Sequence, residues 1–174
     1  TFCVTTLARG PERSRPLDEI LQAIRRLTAD GVREVLLTGV HLGGYADATG
    51  ADLGGLVAAI LSQTQVPRVR LGSLEPWDLP PGFWELFASP RLLPHLHLSM
   101  QSGADAVLRR MGRRCKTAEF VRLAEQHGLP RVATVQNPYA LTSRALDNGL
   151  DEVMHRLQVS LLAYSPLAFG ALTG

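Results

Sequence analysis

The stretch "REVLLTGV", residues 33–40, decides how the rest of this sequence is read. It is short, continuously apolar in its middle and closed by a glycine, which is the pattern of a strand buried on both faces. To its N-terminal side, Leu17, Ile20, Leu21, Ile24 and Leu27 recur at helical spacing. Pro16 precedes that run, Asp18 and Glu19 occupy its first turn, and Gly31 ends it. On the C-terminal side, "LGGLVAAILSQ" (53–63) reads as a helix and "PRVRLGSLEP" (67–76) contains the next strand. "PPGFWELFAS" (80–89) reads as a short helix, and "PHLHLSMQSG" (94–103) as a strand running into a polar turn. The pattern continues with helices in "ADAVLRRMG" and "KTAEFVRLAEQHG", a strand in "PRVATVQNP", one helix over "LTSRALDNGLDEVMHRLQ" and a strand and loop in "VSLLAYSPLAFG".

Apolar strands alternating with helices predict an α/β fold, with about five parallel strands and covering helices. A partial (βα) barrel is the expected architecture. In such barrels functional groups gather at the C-terminal ends of the strands. Here those ends read "TGVHLGGY", "SLEP", "MQSG", "QNPY" and "YSPLAFG", all rich in glycine, proline or hydrogen-bonding side chains. Turn chemistry alone accounts for part of that composition.

Composition excludes several classes. With 45% apolar and 20% charged residues in 174, the chain is neither disordered nor membrane-spanning. The net charge of +2 does not by itself argue for a nucleic-acid partner. Cys3 and Cys115 lie too far apart in sequence to suggest a disulfide framework, so a cytoplasmic, reducing setting is expected. Lys116 is the only lysine among the basic residues. The arginine skew suits phosphate recognition but also follows from a GC-rich coding sequence. His95 and His97 alternate on one strand and so share a face, yet no third metal ligand accompanies them.

Four segments occur in order with strand–helix spacing between them: "FCVTTLARGPERSRP", "EVLLTGVHLGGY", "RVRLGSLEP" and "HLHLSMQSGADAVLRRMGRR". Together they resemble the radical S-adenosylmethionine methylthiotransferases over about residues 1–125, and most closely the subgroup that modifies threonylcarbamoyladenosine in tRNA. The resemblance implies a 4Fe–4S cluster held by a C-x-x-x-C-x-x-C loop, with one iron left open for the methionine moiety of S-adenosylmethionine. Cys3 matches the third cysteine of that loop, and Cys115 stands where the family has a non-ligand residue. With one of three ligands present, the chain is expected not to assemble the cluster and to be inactive by itself. Gly39, Ser73, Glu75, Gln101 and Ser102 match cofactor-binding positions at the strand ends. Gly39 would admit a close approach of the cofactor to the backbone, Glu75 a contact with a ribose or the methionine amine, and Gln101 and Ser102 hydrogen bonds to cofactor or substrate. Arg9, Arg13 and Arg15 are candidates for tRNA phosphate contacts. Ala46 and Gly72 depart from the family's usual glycine and serine.

After about residue 122 that pattern stops: no acidic, glycine-rich segment comes next. Instead "RLAEQHGLPRVATVQNPYAL" and "VSLLAYSPLAFGALTG" resemble the aldo-keto reductases over about residues 123–174. That second resemblance implies NADPH, with Gln136 at the nicotinamide carboxamide, Tyr164 near the nicotinamide ring, and Ser165, Pro166 and Leu167 beginning a loop over the pyrophosphate. No catalytic set of that family is present. The expectation from both resemblances is a chimera truncated at both ends, divided into 1–125 and 126–174 and joined near "VRLAEQ". Its functional alternatives are an NADPH-dependent reductase fragment or a folded chain without activity. Exposed sheet edges are expected to favour self-association.

Overall fold

The computed structural model describes residues 5–173. A five-residue helix, α1 (Thr5–Arg9), leads through an extended arm into α2 (Leu17–Ala29), the helix expected from the apolar spacing. Leu21 and Ile24 are its buried residues. One of its unpaired N-terminal donors is satisfied from thirty residues away: Leu17 N–H donates to Asp47 Oδ2 at 3.2 Å. The same carboxylate accepts from Thr49 and from the Ala51 amide. These hydrogen bonds, that from the Thr49 hydroxyl above all, hold Asp47 below the ordinary carboxylate range.

Gly31, in the left-handed region at φ +89°, turns the chain from α2 toward β1 (Glu34–Leu37). β1 pairs in parallel with β2 (Arg68–Leu71), in register from Glu34 opposite Arg68 to Leu37 opposite Leu71. Glu34 bridges Arg68 and Arg70 at 2.9 and 3.0 Å. Between the strands runs α3 (Leu53–Gln63), capped by Asp52, whose side chain accepts from Gly55 N–H at 2.8 Å. Leu53, Leu56, Val57 and Ile60 of α3 are buried in one core with Val35, Val69 and Leu71. Each such side chain contributes about 1.5–3 kcal/mol by leaving water.

Gly72 comes directly after β2 and donates to Leu37 O at 2.8 Å. A Cβ there would sit 3.0 Å from that same carbonyl, so the position departing from serine is a point of close strand approach. Beyond it, β3 (Ser73–Leu74) pairs in parallel with β4 (His97–Leu98), and Val69 makes a parallel bridge to Leu92. The segment 83–88 forms a 3₁₀ turn in which the fully buried Phe83 meets Trp84 and Phe87 edge-on, at 5.4 and 5.6 Å. α4 (Asp105–Arg110) and α5 (Thr117–Gln126) complete this part. Asp105 accepts both the amide and the hydroxyl of Thr117 at 3.0 Å, satisfying the start of α5.

Two compact units divide the chain, Thr1–Leu123 and Ala124–Gly174. In the second, β5 (Thr134–Pro138) and β6 (Ser160–Tyr164) pair in parallel, Thr134 opposite Ser160 and Pro138 opposite Tyr164. The single helix expected over 141–158 is split into a 3₁₀ turn, Ala145–Asp147, and α6 (Leu150–Arg156). Gly149, at φ +104°, breaks it. Ala140, Leu146 and Met154 are the buried apolar side chains among the described residues of this unit.

Parallel strands alternating with helices are therefore present, but the single curved sheet is not. Among the described residues, six strands form three separate two-stranded parallel pairs rather than a five-stranded partial barrel. Two of these strands span two residues, with Pro76 two residues after one and Pro94 three residues before the other, and a proline offers no amide donor to extend a ladder. β6 is largely exposed, so its apolar residues are not covered on both faces as expected.

Arg91 locks the end of α3. Its guanidinium donates to Leu61 O, Thr64 O and Val66 O at 2.7, 2.9 and 2.8 Å, satisfying carbonyls that a helix terminus leaves open. Arg91→Ala is expected to destabilise the first unit by about 2–4 kcal/mol, and Arg91→Lys to recover less than half of that loss. Urea unfolding followed by tryptophan fluorescence measures it, because both tryptophans, Trp77 and Trp84, lie in this unit.

Candidate functional site

The parallel register brings the ends of β1 to β4 to one rim. After β1 come Thr38, Gly39, Val40 and His41; after β3 come Glu75, Pro76, Trp77 and Asp78; after β4 come Ser99 to Ser102. Gly39 is exposed, and a Cβ built on it would make only ordinary contacts with the Leu42 backbone at 3.9 Å. Protein packing thus gives no reason for a glycine there. Ser73 lies within β3 opposite His97 and is exposed. Gln101 holds φ +72°, a left-handed conformation that costs a non-glycine residue about 1 kcal/mol or more. The Ser102 hydroxyl accepts from Ala104 N–H at 3.1 Å, shaping the entry to α4.

Glu75 is paired within the protein through one of its two oxygens. Its Oε1 accepts from Arg113 Nη1 at 2.8 Å, while Arg113 also donates to Ser99 O at 3.4 Å. The guanidinium lies over the Trp77 ring, 5.3 Å from its centroid. Arg113 is 9% exposed and Glu75 22%. The other carboxylate oxygen, Glu75 Oε2, is buried without a hydrogen-bond partner in the protein. Sequence reasoning misses Arg113; the arginine run after "VLRRMG" is its only signal there.

It misses His41, Glu12 and Asp78 as well. His41 Nδ1 lies 2.9 Å from Glu12 Oε1, and Nε2 lies 2.6 Å from Asp78 Oδ2. A histidine just past a strand end, close to two glycines, is the available clue. A Cβ on Gly44 would stand 2.5 Å from the imidazole, and one on Gly43 would stand 2.6 Å from Asp78 Cβ. His95 and His97 join no group: among the described residues no cluster of three histidine, cysteine or acidic side chains is placed to hold a metal.

In the second unit, Tyr164 and Ser165 line a cavity of about 300 Å³ with Pro138, Ala140, Thr142 and Ala168. Gln136, Pro166 and Leu167 do not line it. Ser165 holds φ +54°.

The radical SAM superfamily model matches residues 1–144, most of the chain and the whole strand-end rim. This chain belongs to the radical SAM superfamily. The threonylcarbamoyladenosine tRNA methylthiotransferase MtaB of Thermotoga maritima is 39% identical over 128 residues, covering 72% of this chain and 30% of the relative. The tRNA-2-methylthio-N(6)-dimethylallyladenosine synthase of Anaplasma phagocytophilum is 36% identical over 130 residues, covering 72% and 29%. The corresponding synthase of Staphylococcus saprophyticus subsp. saprophyticus is 30% identical over 176 residues, covering 97% of this chain and 33% of its own length. The chain spans about a third of the length of these curated relatives. These matches lend the aldo-keto reductase resemblance and its NADPH no support. The staphylococcal alignment runs across the expected junction near 122–126 rather than stopping there.

Radical SAM membership implies a 4Fe–4S cluster and S-adenosylmethionine. Cys3, the expected ligand, lies outside the described residues. Cys115 is a free thiol that donates to Lys116 O at 3.2 Å, and burial pushes it above the ordinary thiol range. Among the described residues Cys115 stands apart from any group of three metal-ligating side chains. The orphaned Glu75 Oε2 does suit a cationic group such as an amine.

The Glu75–Arg113 pair generates a prediction. Arg113→Ala leaves a partly buried carboxylate without its counter-charge and is expected to cost about 2–3 kcal/mol. Adding Glu75→Gln should recover part of that loss. Urea titration of the single and double variants, read by tryptophan emission, measures the coupling.

Proposed function

We propose that this chain is the catalytic-core portion of a tRNA methylthiotransferase, which adds a methylthio group to a modified adenosine by radical S-adenosylmethionine chemistry. The 39% identity to the Thermotoga methylthiotransferase over 128 residues carries the reading. All four sequence segments that suggest it lie within the part matched by the superfamily model. In this reading Cys3 is one thiolate ligand of the cluster. When bound, the cluster supplies the electron that cleaves the sulfonium bond. This chain's own residues bind and orient. Glu75 Oε2 accepts from the methionine amine, Gly39 leaves the β1 end open to the cofactor, and Gln101 and Ser102 border substrate on the β4 side. Arg9, Arg13 and Arg15 contact tRNA phosphate. A cytoplasmic setting suits that substrate, and no helix among the described residues is long and apolar enough to cross a membrane.

Two outcomes test the proposal. The complete gene containing this chain, reconstituted anaerobically with iron and sulfide, should cleave S-adenosylmethionine and yield methylthioadenosine nucleosides in digested tRNA. Cys3→Ser should abolish both. An intact protein that binds the cluster but modifies no tRNA would refute the substrate, and one that binds no cluster would refute the chemistry. For the tRNA surface, replacing Arg9, Arg13 and Arg15 with glutamine should flatten the salt dependence of binding by roughly two to three in log–log slope.

A further inference from the structure

The arm between α1 and α2, residues 10–16, is fixed to the rim at three points. Glu12 Oε1 meets His41 Nδ1, the Ser14 hydroxyl accepts from Ala46 N–H at 3.0 Å, and Arg15 O accepts from the Tyr45 hydroxyl at 3.0 Å. The last two are neutral hydrogen bonds. The first is an imidazole held between two carboxylates, Glu12 from the arm and Asp78 from the segment after β3. His41 thus ties the arm to two strand ends at once. The adjacent glycines are required for it: a side chain at Gly44 would occupy the imidazole position, and one at Gly43 would displace Asp78.

We propose that Glu12, His41 and Asp78 form a pH-dependent clamp that positions the arm on the rim, with His41 as the positioning residue. Its use in the reaction rests on the function proposed above, because the arm joins the segment containing Cys3 to the strand ends. The clamp itself depends only on the three side chains. His41 is 32% exposed, Asp78 16% and Glu12 66%, so the Asp78 contact is the more sheltered one. Glu12 and Asp78 are the charged groups that face the imidazole. The Asp78 hydrogen bond, opposed by burial and aided by Glu12, raises His41 above its ordinary value of 6.5. A raised value in the folded state sets the sign: the clamp is complete below about pH 6.5 and is lost as pH rises through the His41 value.

Limited trypsinolysis of the full chain tests this, because Arg9 and Arg13 present cleavable bonds in and beside the arm while Arg15 is protected by Pro16. Cleavage at Arg13–Ser14 is measured by mass spectrometry and divided by the rate for a free peptide of residues 7–17, which removes the protease's own pH dependence. The normalised rate is expected to rise roughly fivefold between about pH 6 and pH 8.5, in the direction set by loss of the imidazole proton. His41→Asn should give the fast rate at both values. Glu12→Gln removes only the exposed partner, leaves the fold intact by circular dichroism, and should give an intermediate rate with a weaker pH profile. A normalised rate that is flat in the wild type, or a pH profile that survives in His41→Asn or is undiminished in Glu12→Gln, would overturn the clamp. A clamp that behaves as expected in a protein that binds no cluster would instead overturn only the proposed function.

Discussion

The parallel register of β1 against β2 places Leu37 beside Leu71, so that both strands stop at the same height and Gly72 can close against the Leu37 carbonyl. The rim is built on that alignment. The loops after β1 and β3 leave from the same edge, which is why His41 meets Asp78 across 37 residues. α3 contributes more to the core beneath than any other element, and its apolar face is buried with Val35, Val69 and Leu71. Moving β1 by one residue would turn Val35 away from that face and separate the strand ends. Packing and site geometry are thus two consequences of one pairing.

At the rim, charged side chains are already paired within the protein. Glu75 is held by Arg113, with Trp77 against the guanidinium, and His41 by two carboxylates. This arrangement fixes orientation before any ligand arrives, which lowers the ordering cost of binding. It also leaves Glu75 Oε2 as a buried acceptor with nothing to accept from. A carboxylate that is half satisfied by a fixed arginine is anchored at one oxygen and available at the other. That combination suits a residue that must hold a cation at a defined place.

The local elements are legible in the sequence because their causes are local. Leu17 to Leu27 follow the helical period, Asp52 caps α3 from three residues before the amide it accepts, and Gly31 supplies the positive φ that ends α2. "REVLLTGV" reads as a strand for the same reason. Gly149 is visible too, but its effect is not, since apolar residues on both sides of it satisfy one long helical pattern. Closure of the sheet is not legible at all. It depends on which strand edges find each other, and strands as short as Ser73–Leu74 carry no period long enough to specify a neighbour. The partners of Leu17, Arg91, Arg113 and His41 lie 14 to 38 residues away, beyond the reach of any spacing rule. Gly39, Ser73, Glu75, Gln101 and Ser102 come from resemblance; of these, the surrounding residues explain only why Glu75 carries charge and why Ser102 precedes a helix.

The arm shows how neighbouring residues can divide two tasks. In "GPERSRP" the anchors are Glu12, Ser14 and the carbonyl of Arg15, and all three bind residues 41–46. The side chain of Arg15 remains in solvent, within 3.8 Å of Glu19. Neutral hydrogen bonds hold the arm at its C-terminal end, near α2, and the charged contact holds it farther out. Loss of the His41 charge would therefore loosen the arm from its Glu12 end first, while Ser14 and Arg15 keep the connection to α2 in place. The arginines would then point into solvent from a tether rather than from a fixed surface. For the proposed tRNA partner, that difference would alter the entropy of contact more than its Coulomb attraction, because the number of guanidinium groups is unchanged.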